Sequence, residues 1–273
     1  MRYTIFIAWV VLSLFIVTES IGQPVPNQEI LGIGAYSSDF VTVFSGRHNQ
    51  ASMADLKSFS LGIFARQRFS MKELSVFNLG AGLPLWKGVA GLQTQVEGYQ
   101  EFKKQRWTLS YARPLFPWLA VGASFDYLHM VIPTKGTANG ISFSVSGLAR
   151  VNDKWRVGFQ TFNPVQAHYK GVGSDAIPTI YQVGVGYQPS DIFLLMAEAQ
   201  FTGAQKSYLF AFRYDIIPLL SLKAGGSTGV NPVFAGVIFH LKKFRILISA
   251  QFHKQLGLSP GIGGIYQNLL YEK

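Results

Sequence analysis

From Ser58 onward, apolar and polar residues alternate in segments of about ten bounded by turn-forming residues, the signature of antiparallel strands. Over 179–188, Tyr181, Val183, Val185 and Tyr187 share one face and Gln182, Gly184, Gly186 and Gln188 the other, because successive side chains of a strand point to opposite sides. Trp107, Leu109 and Tyr111 alternate in the same way with Thr108, Ser110 and Ala112, as do Tyr208, Phe210, Phe212 and Tyr214 with Ala211, Arg213 and Asp215. The pattern predicts strands at 58–69, 74–85, 88–102, 105–115, 118–132, 140–151, 154–163, 179–188, 192–202, 207–215, 219–228, 233–241, 244–253 and 260–271. Their number, fourteen, is even, as in single-chain bacterial outer-membrane barrels.

The connections sharpen that expectation. After even strands they are two or three residues long: Trp86-Lys87, Phe116-Pro117, Asn152-Asp153, 189–191, 216–218 and Lys242-Lys243. After odd strands they are read as longer (70–73, 133–139, 164–178, 203–206, 229–232 and 254–259), with Lys103-Lys104 the exception. Short turns at one rim and longer loops at the other are the pattern of a transmembrane barrel with both termini periplasmic. Aromatics beside the short turns, among them Trp86, Phe116, Trp118, Trp155 and Phe244, suit a girdle at one membrane interface, although strand-end aromatics also occur in soluble sheets.

The stretch from Ile30 to Leu56, ILGIGAYSSDFVTVFSGRHNQASMADL, has no such alternation. It mixes Gly32, Gly34 and Ser37 with Phe40, Val43 and Phe44 and ends in the polar run Arg47, His48, Asn49 and Gln50, a composition suited to a partly wet interior. It is expected to plug the lumen; a tail ahead of the first domain is the alternative. With the aromatic and aliphatic face toward lipid, Arg66, Arg68, Gln93, Gln95, Glu97, Asp126, Arg150, Arg156, Gln160, Glu198, Arg213 and Lys223 face inward. Both signs of charge occur, which favours internal ion pairing over a pathway selective for one sign. Inward glycines, including Gly80, Gly82, Gly91, Gly122, Gly158, Gly184 and Gly186, leave room for a close approach to the wall. The polar run Arg47 to Gln50 is expected to meet Glu97, Asp126 or Glu198.

Composition agrees with a barrel. Only 14% of residues are charged against 48% hydrophobic, whereas a soluble domain carries about 25% charged residues. The first twenty-two residues, with Arg2, the apolar run Ile5–Val17 and the small-x-small end at Ser20 to Gly22, have the form of a secretory signal peptide, so the mature chain is expected to begin at Gln23. The expected organisation is a signal peptide (1–22), a plug segment (23–57) and a barrel (58–273). The chain has no cysteine, which excludes disulfides and thiolate metal sites, and export without cysteine points to a bacterial envelope. The net charge of +10 is scattered and not gathered in one patch, which speaks for outer-membrane lipid headgroups and against nucleic acid as the partner. No nucleophile elbow, zinc-binding helix or phosphate loop is present, so no catalytic residue, cofactor or metal is expected; a hydrolase assembled from distant side chains would leave no trace in spacing.

The motifs GIGAYSSDF and NQASMADL ahead of the strands, RQRFSMKELS at 66–75 and QFHKQLGLSPGIGGIYQ at 251–267 resemble the FadL-like superfamily of outer-membrane barrels, most of all its PorV/PorQ-type branch in Bacteroidota. Asn49, Ala51, Met53, Ala54 and Leu56 match the branch's Asn-x-Ala-x-Leu-Ala-like element. The resemblance implies a barrel whose N-terminal segment enters the lumen, with some relatives moving hydrophobic small molecules and others serving as membrane subunits in protein secretion. Short external loops depart from both. The sequence therefore supports, first, a non-enzymatic scaffold subunit in complex with other envelope proteins and, as the alternative, a passive channel whose ligand is a hydrophobic small molecule met by Phe40, Val43 and Phe44. A soluble exported β-sandwich or propeller is the third reading.

Overall fold

The structure is a computed structural model that describes residues 30–99, 102–172, 176–228 and 233–268; the expected signal peptide and the start at Gln23 lie outside them. The strands are β1 (Ser60–Gln67), β2 (Ser75–Leu85), β3 (Gly88–Tyr99), β4 (Phe102–Phe116), β5 (Leu119–Ile132), β6 (Gly136–Arg150) and β7 (Trp155–Phe162). They continue as β8 (Lys170–Gly171), β9 (Ile180–Ser190), β10 (Phe193–Thr202), β11 (Gln205–Ile217), β12 (Leu220–Ser227), β13 (Val233–Leu241), β14 (Phe244–His253) and β15 (Gly257–Gln267). Each long strand pairs antiparallel with its sequence neighbours, β7 pairs with β9, and β1 pairs with β15 from Ser60 opposite Gln267 to Arg66 opposite Gly261. The result is a closed barrel of fourteen strands, with the two-residue β8 laid against β6 outside that circuit. Closure leaves no sheet edge, the condition for strands to cross lipid.

The two faces are inverted relative to a water-soluble protein. Leu79, Leu92, Leu109, Phe125, Ile141, Phe159, Tyr181, Phe210, Ile248 and Ile262 are exposed on the outside, while Ser110, Ser124, Ser144, Ser146, Ser221 and Ser249 are buried inside. An apolar outer band over a polar lining is the arrangement of a barrel seated in lipid. No described helix is long and apolar enough to cross a membrane; the crossing elements are strands. At the short-turn end Trp86, Phe116, Trp118 and Phe244 are exposed, and Trp155 stacks on Tyr187 at 4.4 Å between centroids. Trp86 and Lys87 form a two-residue hairpin with positive φ at both positions (51° and 63°), the twist that suits tightly connected strands.

Four expected connections are shorter in the structure, among them 254–259, where His253 already pairs with Gly257. Lys103 and Lys104 are not a turn: they pair with Gly98 and Glu97. β6 begins at Gly136, and Thr202 pairs with Gln205, so only Gly203 and Ala204 join β10 to β11. Polar residues at these positions read as loop, yet backbone pairing continues through them, with successive side chains alternating between the two faces. The contrast in length between the two rims thus rests mainly on 68–74 and 163–179.

Candidate functional site: the barrel interior

Residues 30–56 are held against the inward face of the wall, and nearly all of them are buried. Three short 3-10 turns, Ile30–Gly32, Ser45–Arg47 and Gln50–Asp55, compact the segment. Local side chains set them: Ser37 Oγ accepts from the amides of Asp39 and Phe40, both at 3.2 Å, and Asn49 caps the third turn by accepting from Ala51 N at 2.9 Å. Gly32 is required because a Cβ there would overlap the His48 ring, 1.4 Å from its Cδ2.

Apolar anchors come first. Ile30, Ile33, Tyr36, Val43 and Phe44 pack with wall residues Phe64, Leu209, Phe234 and Leu247 in one buried cluster, and Val41, Met53 and Leu56 pack with Val89 and Ala112 in a second. The wall makes room with glycine. Gly62 and Gly80 lie opposite each other on β1 and β2, and a Cβ on Gly62 would come within 2.6 Å of the Phe44 ring. On β9, a Cβ on Gly184 would meet the Tyr36 ring at 2.2 Å and one on Gly186 the Tyr36 carbonyl oxygen at 2.1 Å. The inward glycines of the alternating strands are therefore the sites of closest approach.

Polar contacts fix the register. His48 Nδ1 lies 2.9 Å from Glu198 Oε2, and the same oxygen accepts from Tyr36 Oη at 3.3 Å, with all three side chains buried. Gln182 donates to the His48 carbonyl at 2.8 Å and Gln93 to the Val43 carbonyl at 2.7 Å. Arg47 donates to Gln95 at 2.8 Å, Asn49 to the Gly147 carbonyl at 3.1 Å and Gln50 to Ser124 at 3.3 Å. Arg156 donates to the Ser37 carbonyl at 3.2 Å and to the Asp55 carboxylate, while Lys223 donates to the Ile33 carbonyl at 3.1 Å. These bonds satisfy backbone groups that a non-regular chain would otherwise bury unpaired.

Of the inward charges expected from sequence, Glu198 meets the segment through His48, and Arg156 and Arg213 meet it through Asp55 and Phe40. Glu97 and Asp126 instead satisfy wall cations: Glu97 pairs with Arg68, and Asp126 accepts from Arg106 at 2.8 Å and from Thr108 at 2.5 Å. Arg66 bonds Gln251 at 2.7 Å. Arg68 sits in the 68–70 turn beyond β1 and reaches back to β3. Arg150, on the same face of β6 as buried Ser144, Ser146 and Leu148, ends the strand in an exposed position at the rim. Sequence reasoning missed Tyr36, Gln182 and Arg106 as partners; the one available signal for the first two was the Gln182-x-Gly184-x-Gly186 run on a single face.

Between Arg47 and the wall residues Gln93, Gln95, Arg106 and Thr108 a polar-lined void of about 20 Å³ remains, room for roughly one water. At the opposite rim from the short turns, the 163–179 connection folds back so that Ile177 and Ile180 pack on Leu128 and Phe162, held by Asn163, which donates to the Ile177 carbonyl at 2.7 Å and accepts from Ala167 N at 2.9 Å. Among the described residues no group of three His, Asp or Glu side chains could hold a metal ion.

No family model and no curated protein sequence matches the chain. Solved structures do match it in fold. The CymD monoaromatic hydrocarbon channel aligns with a TM-score of 0.62 at 12% identity, covering 83% of this chain and 93% of its own. A Pseudomonas aeruginosa FadL homologue aligns at 0.60 and 11% identity over 90% of this chain and 98% of its own. The Pseudomonas putida toluene transporter TodX aligns at 0.60 and 12% identity over 91% and 98%. At such identities the likeness is one of architecture.

Proposed function

We propose that this protein is a non-enzymatic outer-membrane channel for hydrophobic small molecules, closed in the state described here by residues 30–56. The observation that carries the reading is the burial of residues 30–56 against the inward face of the wall, through two apolar clusters and a set of hydrogen bonds. Such an interior cannot serve as a wide aqueous pore for polar solutes. Passage calls for displacement of the segment, and the apolar surface it would uncover, around Phe64, Val89, Phe234 and Leu247, suits a hydrophobic solute. Likeness in fold to barrels described as a hydrocarbon channel and a toluene transporter supports the same choice.

The scaffold reading, first on the sequence alone, takes second place. Its motivation was short external loops and a mixed-charge lumen, and both are equally properties of a closed channel. The likeness of residues 49–56 to the secretion-linked PorV/PorQ-type branch gains no support from the matching structures, among them a hydrocarbon channel and a toluene transporter. The test is uptake of a monoaromatic hydrocarbon into vesicles holding the purified protein: influx above that of protein-free vesicles is expected, and equal influx would contradict the proposal.

A further inference from the structure

At the short-turn end of the barrel, four adjacent strands bring together six polar side chains, of which Arg213 and Lys223 also touch residues 30–56. Arg213 and Asp215 lie on β11, Ser221 and Lys223 on β12, His240 on β13 and Arg245 on β14. The registers Arg213 with Lys223, Asp215 with Ser221 and His240 with Arg245 set them side by side. Asp215 Oδ1 accepts from Arg213 Nε at 3.1 Å and from Ser221 Oγ at 2.5 Å, and Ser221 Oγ is also 2.5 Å from His240 Nε2. Arg213 Nη2 lies 3.3 Å from Ser221 Oγ and 3.5 Å from His240 Nε2. The carboxylate holds the hydroxyl and the guanidinium, not the imidazole, so this is not the relay of an acyl-transfer triad.

Charge is unbalanced here. Elsewhere in the interior Arg68 pairs with Glu97, Arg106 with Asp126 and Arg156 with Asp55, while Arg47 and Arg66 bond Gln95 and Gln251. In this cluster three cations, Arg213, Lys223 and Arg245, stand near the carboxylate of Asp215, which pairs with Arg213, while Lys223 donates to the Ile33 carbonyl. Arg213 Nη1 and Arg245 Nη1 are both buried and without a hydrogen-bond partner, and a buried charged donor left unpaired is more costly than a neutral one. Arg213 is 3% exposed, and its guanidinium lies on the Phe40 ring, 4.2 Å from the centroid, which fixes its plane. The Asp215 side chain is 23% exposed, so the cluster borders the rim at its acidic member, and Lys242 and Lys243 in the adjoining turn add to the positive field.

The geometry points to an oxyanion-binding site at this rim, in which the free guanidinium edges of Arg213 and Arg245, with Ser221 and His240 beside them, take a phosphate-type anion. The formal excess of positive charge suits an anion, and planar guanidinium groups match tetrahedral oxyanions in donor spacing. Asp215 opposes the anion, but its Oδ1 is already engaged by two donors. The source is either free phosphate or a phosphorylated amphiphile headgroup. The inference stands on the wall alone and is independent of whether the barrel transports hydrocarbons.

The experiment is calorimetric titration of the purified full chain, in nonionic detergent at fixed ionic strength, with inorganic phosphate and separately with a lysophospholipid, against a neutral amphiphile of the same chain length. Saturable binding of at least one phosphate-bearing probe, and none of the neutral amphiphile, is expected; binding of the lysophospholipid alone would identify the headgroup as the source. Arg245→Gln, which removes a side chain with no hydrogen bond to the wall, should weaken binding about tenfold or more, the worth of one charge-assisted hydrogen bond. Asp215→Asn, which removes the opposing charge, should tighten it and carries the test if the first variant fails to assemble. No saturable binding of either probe, equal binding by Arg245→Gln, or unchanged or weaker binding by Asp215→Asn would overturn the proposal.

Discussion

A glycine and a glutamate define what single residues contribute to this interior. Gly184 faces the Tyr36 ring so closely that any side chain must displace it. Gly184→Val is therefore expected to destabilise the seated segment by about 1–3 kcal/mol, the usual cost of overpacking. The same substitution in a Tyr36→Ala background should cost less, because residues in contact couple. Both are read from urea unfolding of the barrel in vesicles, and equal costs in the two backgrounds would refute the contact. Glu198 is the only acid within hydrogen-bond distance of His48 among the described residues, and removal of one partner from a buried pair costs about 3–5 kcal/mol. Glu198→Ala should accordingly expose residues 30–56 to protease far more than Glu97→Ala, whose carboxylate serves Arg68 on the wall.

At the scale of elements, the barrel and the segment are separable. Among the described residues every ladder of the wall runs between residues 60 and 267, and no strand pairs with residues 30–56. A variant lacking 30–56 is expected to keep the heat-modifiable gel mobility of a closed barrel; loss of that behaviour would mean the segment is needed for closure. This separability also explains what could be read in advance. Strands were legible because lipid outside and a wet interior force strict alternation, as at Tyr181 to Gln188, and because glycine marks close approach, as at Gly80 and Gly184. Turn limits were less so: Lys103 and Lys104 look like a turn by composition, yet nothing in their chemistry prevents pairing with Gly98 and Glu97. Partnerships across the lumen were not legible at all. His48 and Glu198 are 150 residues apart in the chain, and whether an acid meets the segment or a wall arginine depends on heights around the barrel that parity alone leaves open. The rim cluster escaped for the same reason, since Ser221, His240 and Arg245 come from three strands.

For the molecule as a whole, the governing contrast is between an apolar outside and an interior filled by the chain itself. The outer band sets a depth-dependent penalty: Leu109→Arg, in the middle of β4 and 60% exposed, should cost about 2–4 kcal/mol, while Trp86→Arg at the rim should cost about 0–1. Reversible unfolding into lipid vesicles measures both, and equal penalties would argue against a membrane band centred on β4. Under the proposed reading, residues 30–56 close the fourteen-strand barrel and make it a gated route for apolar solutes instead of an aqueous pore. Planar-bilayer conductance of the full chain beside the variant lacking residues 30–56 tests it most directly. The full chain is expected to pass no measurable ion current and the shortened one a steady current; indistinguishable conductance in the two would contradict the account.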